Sequence, residues 1–259
     1  MKIAIVTQED SFYIPALVAR FAAERAGDIA AVTILPGEMV KNSRNIRKYL
    51  AFMGPFDFLR YVTLYAGYMA LNALFPRGFR GHFHSVRAVA RHHGIPVLEP
   101  ASVNEPAHVE RLRELGVDLI VSIAAPQIFR RDILTLPRHG CINIHNALLP
   151  KYQGMMPSFW VLANGEEVTG TTIHYMNEKI DAGRIILQRT TPILESDTLH
   201  SLVYRTKITI GPEMLLEAVA LIESGRVPVV ETDWSAATYH SFPDAEAVKR
   251  FRARKRKFR

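Results

Sequence analysis

Met1 to Thr7 is an apolar run rich in Ile and Val, the pattern of a strand buried on both faces. Phe12 to Ala26 places apolar residues at helical spacing, and Ala30 to Leu35 reads as a second buried strand. Strand, helix, strand is the opening of a parallel sheet with helices on its faces. The rhythm resumes at His84 to His93, a predicted helix closed by Gly94 and Pro96. Glu105 to Leu115 follows as a helix, Val117 to Ala124 as a strand, and Cys141 to His145 as a short strand entering a loop. Thr169 to Met176 and Arg184 to Ile193 read as further strands. Asp197 to Ser224 reads as the longest helix, capped by Ser196 or Asp197 and ended by Gly225. The expected fold is a Rossmann-like α/β domain, an open and mostly parallel sheet with helices on both faces. It is predicted over residues 1–225, with a short C-terminal extension over 226–259.

One stretch breaks the rhythm. Residues 39–83 form an insert between the second strand and the next α/β unit. Ten of the chain's 22 Phe and Tyr residues lie between Tyr49 and Phe83, and no charge occurs from Tyr61 to Pro76. That span falls short of the roughly 20 apolar residues a bilayer crossing requires. Pro55 and Pro76 bracket a predicted helix from Phe56 to Leu74, whose aromatics Tyr61, Tyr65 and Tyr68, with Phe75 beyond, fall along one face. That face either packs on the sheet domain or a second subunit, or borders a ligand or a membrane interface. Arg44, Arg47, Lys48, Arg77 and Arg80 flank the helix and can meet phosphates.

Composition narrows the classes. A single cysteine, Cys141, excludes an intrachain disulfide and a cysteine-based zinc site, which suits the cytoplasm. The N-terminal apolar run is too short for a signal peptide. The net charge of +7 is concentrated at one end. The last 11 residues hold eight Lys or Arg and no acid, so the rest of the chain carries −1. That tail reads as a solvated segment with weak, non-specific attraction for polyanions. His82, His84, His92 and His93 have no Cys or acidic partners at ligand spacing, and no metal is expected. No G-x-G-x-x-G follows the first strand, which argues against a nicotinamide dehydrogenase.

The chemistry is concentrated between Asn143 and Gly183. Asn143 and His145 are followed by Leu148, Leu149, Pro150 and Gly154, then by Thr169, Gly170, Thr172 and His174, then by Asp181 and Gly183. This order and spacing resemble the 10-formyltetrahydrofolate-dependent formyltransferases, the family of glycinamide-ribotide, methionyl-tRNA and sugar N-formyltransferases. A weaker likeness runs from Ile95 to Ile128. The residues agree with what formyl transfer needs. Asn143 and His145 lie two apart at a strand end, so both side chains face the same side. An amine attacking a formyl carbon creates an oxyanion, which N–H groups from Asn143 and His145 can stabilise. The amine must also lose a proton, which Asp181 can take, and Asp181 can orient the imidazole of His145.

The resemblance implies more. Asn143, His145 and Asp181 would be catalytic, and 10-formyltetrahydrofolate the formyl donor. Its pterin would lie between Ala125, Pro126, Gln127 and Ile128 on one side and Asn177, Glu178, Lys179 and Ile180 on the other. Lys151 and Tyr152 would line the acceptor side, and His174 matches a position near the active site. Asn146 and Ala147 stand where the family often has Pro-Ser. The absence of glycine from Gln8 to Ser11 argues against a glycinamide-ribotide acceptor. The segment Trp234 to Phe251 resembles the ending of some sugar formyltransferases, so the expected acceptor is a small-molecule amine, an amino sugar on a nucleotide or lipid carrier. The alternatives are a methionyl-tRNA enzyme without its C-terminal barrel, placed behind because about 35 residues follow the long helix, and a formyltetrahydrofolate hydrolase. A homodimer and a peripheral membrane contact through residues 49–80 are the further partner expectations.

Overall fold

A computed structural model describes residues 1–37 and 43–259. Met39 to Asn42 and the side chain of Arg44, both part of the predicted insert, lie outside the described residues. In chain order the elements are β1 (Ile3–Gln8), α1 (Ile14–Arg25), β2 (Ile29–Leu35), α2 (Ser43–Met53), α3 (Pro55–Leu74), α4 (Val86–His93), β3 (Val97–Leu98), α5 (Pro106–Glu114), β4 (Leu119–Ile123) and α6 (Arg131–Leu134). There follow β5 (Cys141–His145), β6 (Gln153–Gly154), α7 (Pro157–Asn164), β7 (Val168–Tyr175), β8 (Ile185–Pro192), α8 (Leu199–Val203), α9 (Gly211–Glu223), β9 (Tyr239–His240) and α10 (Ala245–Ala253).

Seven strands form one sheet in the order β3-β2-β1-β4-β5-β7-β8. β3, β2, β1, β4 and β5 are parallel, and β7 and β8 run antiparallel at the end. The alternation of a strand explains the layering. Ile3 and Ile5 of β1 pack with Leu17 and Phe21 of α1, Val89 of α4 and Leu215 of α9 on one face. Ala4 and Val6, pointing the other way, pack with Val109 and Leu112 of α5 and Ile133 of α6. The chain order reverses between β1 and β4, so the loops that follow these two strands splay apart and leave a crevice at their carboxyl ends.

Two expectations are corrected. The segment from Asp197 to Ser224 is not one helix. α8 is followed by a π-turn over Tyr204–Thr209, and α9 begins afresh at Gly211. Pro212 has no N–H to continue the ladder, and the Thr206 hydroxyl donates to the Leu202 carbonyl at 2.9 Å. The cap is Thr198, in a reciprocal capping box with Ser201, while the Asp197 carboxylate takes Arg205 at 2.5 Å and the Leu194 N–H at 2.8 Å. Gly225 does end α9, with a positive φ. Among the described residues the longest helix is α3.

The basic tail is also not a free, solvated segment. The carbonyls of Lys257 and Phe258 accept hydrogen bonds from the N–H groups of Leu199 and His200, at 2.8 and 3.0 Å. Phe251 and Phe258 enter an aromatic cluster with Phe52 and Phe159. Two Phe side chains among the cations have enough apolar surface to dock the segment. α10 packs on α7 around Phe159, Leu162, Val248 and Phe251, a third core beside the sheet.

The insert contains α2 and α3. Tyr61 stacks on Phe12 at 4.7 Å, and Tyr68 meets Phe12 at 5.4 Å and stacks on His84 at 4.2 Å. The aromatic face of α3 therefore covers the loop after β1. No residue of α3 is buried, and its other face exposes Phe56, Leu59, Met69 and Leu74. Among the described residues no helix is long and apolar enough to cross a membrane.

Candidate active site

β5 positions the first two polar side chains. Asn143 and His145 project from its carboxyl end, with Asn143 beside Ser122 of β4 and opposite His174 of β7. Because β7 runs against β5, a residue 31 positions later lies directly across from Asn143. The third group comes from the loop between β7 and β8. Asp181 there has φ of 48°, in the left-handed region. Two glycines allow its placement. A Cβ on Gly183 would lie 1.8 Å from the Tyr175 carbonyl oxygen, so only glycine lets the loop fold back on β7. A Cβ on Gly154 would lie 2.3 Å from the His240 carbonyl oxygen, where β6 pairs with β9. That close approach aims the Gly154 N–H at Asp181.

The Asp181 carboxylate is the hub. Oδ2 accepts the Gly154 N–H at 2.9 Å and lies 3.4 Å from His145 Nδ1. Oδ1 accepts from Asn143 Nδ2 at 3.3 Å and lies 3.4 Å from His174 Nε2. Gln153 Nε2 donates to the Asp181 carbonyl at 3.0 Å. Burial works to raise the carboxyl, but the two imidazoles and the Gly154 N–H outweigh it and hold it down to about 2. The carboxylate is thus ionised at neutral pH. Burial pushes the His145 imidazole below its usual range, against the pull of Asp181.

Carbonyls fix the tautomers, because a carbonyl only accepts. His145 Nε2 donates to the Tyr152 carbonyl at 2.8 Å, leaving Nδ1 toward Asp181. His174 Nδ1 donates to the Tyr175 carbonyl at 2.8 Å, and its Nε2 lies 3.2 Å from Asn143 Nδ2 and 3.4 Å from Asp181 Oδ1. The amide nitrogen of Asn143 thus sits between Asp181 and His174 in the resting site. These contacts are long for hydrogen bonds to nitrogen or oxygen, so a ligand can replace them at small cost.

Other expected residues fall as follows. The Tyr152 side chain is buried and its hydroxyl donates to Glu166 at 2.6 Å, so what Tyr152 brings to the site is its carbonyl. Lys151 is exposed beside it. Gln127 ties its loop to the Val103 N–H at 2.7 Å and the Ala101 carbonyl at 3.1 Å. Ala125 and Pro126 are half-buried, and Ile128 is exposed. In the second loop, Asn177 accepts from the Lys179 N–H at 2.9 Å, and Glu178 and Ile180 are exposed. Among the described residues no three His, Cys, Asp or Glu side chains are grouped to hold a metal ion. Cys141 is buried, which pushes its thiol up to about 12 and leaves it unreactive.

The sequence reading missed Lys207. It lies on the π-turn, half-buried, and its charge acts on both His145 and Asp10 of the loop after β1. Burial pushes its ammonium below the usual range. A lysine inside an uninterrupted amphipathic pattern carries no sign of this, whereas a π-turn often marks a functional place.

A family model described as Formyl transferase matches residues 76–219. A methionyl-tRNA formyltransferase of Anaeromyxobacter sp. (strain K) is 41% identical over 154 residues, which are 60% of this chain and 49% of that protein. The chain spans about half the length of the curated relatives it matches. Among solved structures, glycinamide ribonucleotide transformylase 1 from Symbiobacterium toebii aligns with a TM-score of 0.60 at 22% identity, over 90% of this chain and 94% of that one. The N-formyltransferase of Helicobacter canadensis, solved with folinic acid and dTDP-3-aminofucose, aligns with a TM-score of 0.59 at 17% identity, over 93% and 71%. At these identities the structures share the fold.

Proposed function

Because the chain belongs to the formyl transferase family, we propose that it moves a formyl group from 10-formyltetrahydrofolate to an amine, with Asn143, His145 and Asp181 at the reacting centre. The observation that carries this reading is one ionised carboxylate, Asp181, held at the end of β5 between Asn143, His145, His174 and the Gly154 N–H. The folate supplies an activated formyl carbonyl. Asp181 takes the proton of the incoming amine, and His145 Nδ1 stands 3.4 Å away to receive it; as the bond between the formyl carbon and the folate nitrogen breaks, that departing nitrogen takes the proton. Asn143 turns an amide N–H from its long contacts toward the developing oxyanion.

The residues at the two predicted folate loops fit a pterin. Ile128 and Ile180 present exposed apolar side chains, one from each loop, and Ala125 and Met176 rest on the same hydrophobic cluster. Apolar side chains beside loop backbone suit a ring that is apolar on its faces and polar at its edge. A non-reactive folate at about 100 times its Kd should raise the melting temperature by roughly 5–10 °C, by mass action. An unchanged melting temperature at saturation would remove the donor from this reading.

For the acceptor we infer an amino sugar on a nucleotide or lipid carrier. Tyr239 supports it. Its ring is exposed and lies against Gly154, whose N–H holds Asp181, and an exposed aromatic face is a platform for a sugar. The likeness to methionyl-tRNA formyltransferases supports tRNA as the second reading. The deciding assay measures consumption of 10-formyltetrahydrofolate with nucleotide-linked amino sugars, with charged tRNA and with no acceptor. Amino-sugar-dependent consumption is expected. Consumption only with tRNA transfers the acceptor to the second reading, and consumption without acceptor makes the enzyme a hydrolase.

The exposed face of α3 bears on partners. Phe56, Leu59, Met69 and Leu74 form an apolar stripe next to Arg60, Arg77 and Arg80, a combination that suits an anionic membrane surface. A homodimer through the same face is the competing reading. The protein is expected to float with anionic vesicles, and Phe56→Ser with Leu59→Ser is expected to stay behind. A stable dimer that ignores vesicles leaves the homodimer. Deleting the tail is unsuitable as a control, because Phe251 is part of the core and Phe258 packs against it.

A further inference from the structure

The amino end of α3 and the C-terminal segment enclose a cleft of about 260 Å³. Arg60, Arg252, Arg256, Lys257 and Arg259 line it, against one acidic side chain, Asp57, with Phe56 and Phe258 as apolar walls. None of the five cations pairs with a carboxylate among the described residues. Arg252 is pinned by the Met53 carbonyl at 3.1 Å, and Arg256 by the carbonyls of Leu194 and Glu195 at 2.7 and 3.0 Å. Carbonyls fix the position of a guanidinium without neutralising its charge. The fold thus holds five like charges around one space, a cost that an anion in that space would relieve.

Two hydrogen bonds, with charges acting beyond their ends, form a wall from this cleft toward the reacting centre. Arg60 and Arg259 both act on the imidazole of His200. His200 Nδ1 is 2.7 Å from the Tyr13 hydroxyl. The Tyr13 N–H bonds the carboxylate of Asp10 at 3.0 Å, and the Asp10 charge reaches Lys207, whose own charge reaches His145. We propose that the cleft binds the phosphate or diphosphate group of the formyl acceptor, with the acceptor lying along this wall toward Asp181. The inference rests on the formyl-transfer reading for the word acceptor only. Guanidinium groups match phosphate oxygens two at a time, and several of them around one space suit a diphosphate better than a single carboxylate. The sequence reading gave phosphate contact to residues flanking α3. The proposed site draws on Arg60 and the far end of the chain, which the docking of Phe258 brings together.

Calorimetry at low salt with inorganic pyrophosphate tests the proposal on the intact chain. Saturable binding at one site is expected, and Arg60→Glu with Arg259→Glu should weaken it at least about tenfold. The thermal response to folate should be unchanged in that variant, since neither residue touches the β5 site. If the charge reversal disturbs that response, Arg60→Gln with Arg259→Gln takes its place. Two further arms separate the sources of the phosphate. Tighter binding of a nucleoside diphosphate than of pyrophosphate points to a nucleotide carrier. Retention on phosphatidylcholine vesicles only when they contain a polyprenyl diphosphate points to a lipid carrier. Failure of pyrophosphate to saturate the protein, equal affinity in the variant, or binding of RNA alone overturns the proposal. Loss of formyl transfer with pyrophosphate binding intact would overturn the enzymatic reading and leave the anion site standing.

Discussion

Replacing Asp181 by Asn should lower turnover at least about 100-fold while the protein stays folded, the scale of a lost general base. Asparagine keeps the shape and still accepts the Gly154 N–H through its oxygen. It cannot take a proton from an amine, and its NH₂ group has to face His145 or His174 in place of an acceptor. With the carboxyl held down to about 2, the native group is ionised throughout the neutral range, so no shift of pH restores the variant. Asn143→Ala and His145→Ala should each cost a similar factor, by loss of a donor or of the proton's next station. Single-turnover measurement at saturating folate separates the rate from binding. A D181N rate within threefold of the parent would take the proton transfer away from this carboxylate.

The second large effect is on stability. Phe251→Ala should destabilise the protein by about 3–5 kcal/mol, as other buried aromatic truncations do. Phe251 is fully buried and stacked on Phe159 at 4.9 Å, with Phe258 at 5.0 Å. Removing the ring leaves a cavity on which α7, α10 and the tail all border. Lys249→Ala, two residues earlier on the exposed side of α10, should change stability by less than about 0.5 kcal/mol. Urea midpoints at an unchanged slope measure both. Equal midpoints would mean that the C-terminal segment is not part of the cooperative core.

What the sequence disclosed follows from how each feature is encoded. β5 was placed at its exact limits, because apolar Ile142 and Ile144 alternate with Asn143 and His145 and a loop motif follows. The sheet and its layering were legible for the same reason, since alternation in β1 sorts its side chains into two cores. The interruption after Val203 was not legible. Apolar residues continue at helical spacing through it, and only Gly211-Pro212 hints at the new start. Docking of the basic tail was hidden by its charge, since counting Lys and Arg gives no weight to Phe251 and Phe258. In the site, the motif named Asn143, His145 and Asp181, but the commitment of Asn143 to His174 depends on β7 running against β5. Strand direction is a property of the assembled sheet, so that contact and the position of Lys207 required coordinates.

The pairing of β6 with β9 has a temporal meaning. Gly154 is made first and its partner His240 more than eighty residues later, yet the Gly154 N–H that steadies Asp181 sits where these two backbones meet. Chains leave the ribosome from the amino end, and their parts fold in that order. The sheet with Asn143 and His145 can therefore form while synthesis continues. Its carboxylate gains its backbone support only when the stretch around Tyr239 has emerged, so a nascent chain carries an unfinished site until that stretch is free to fold.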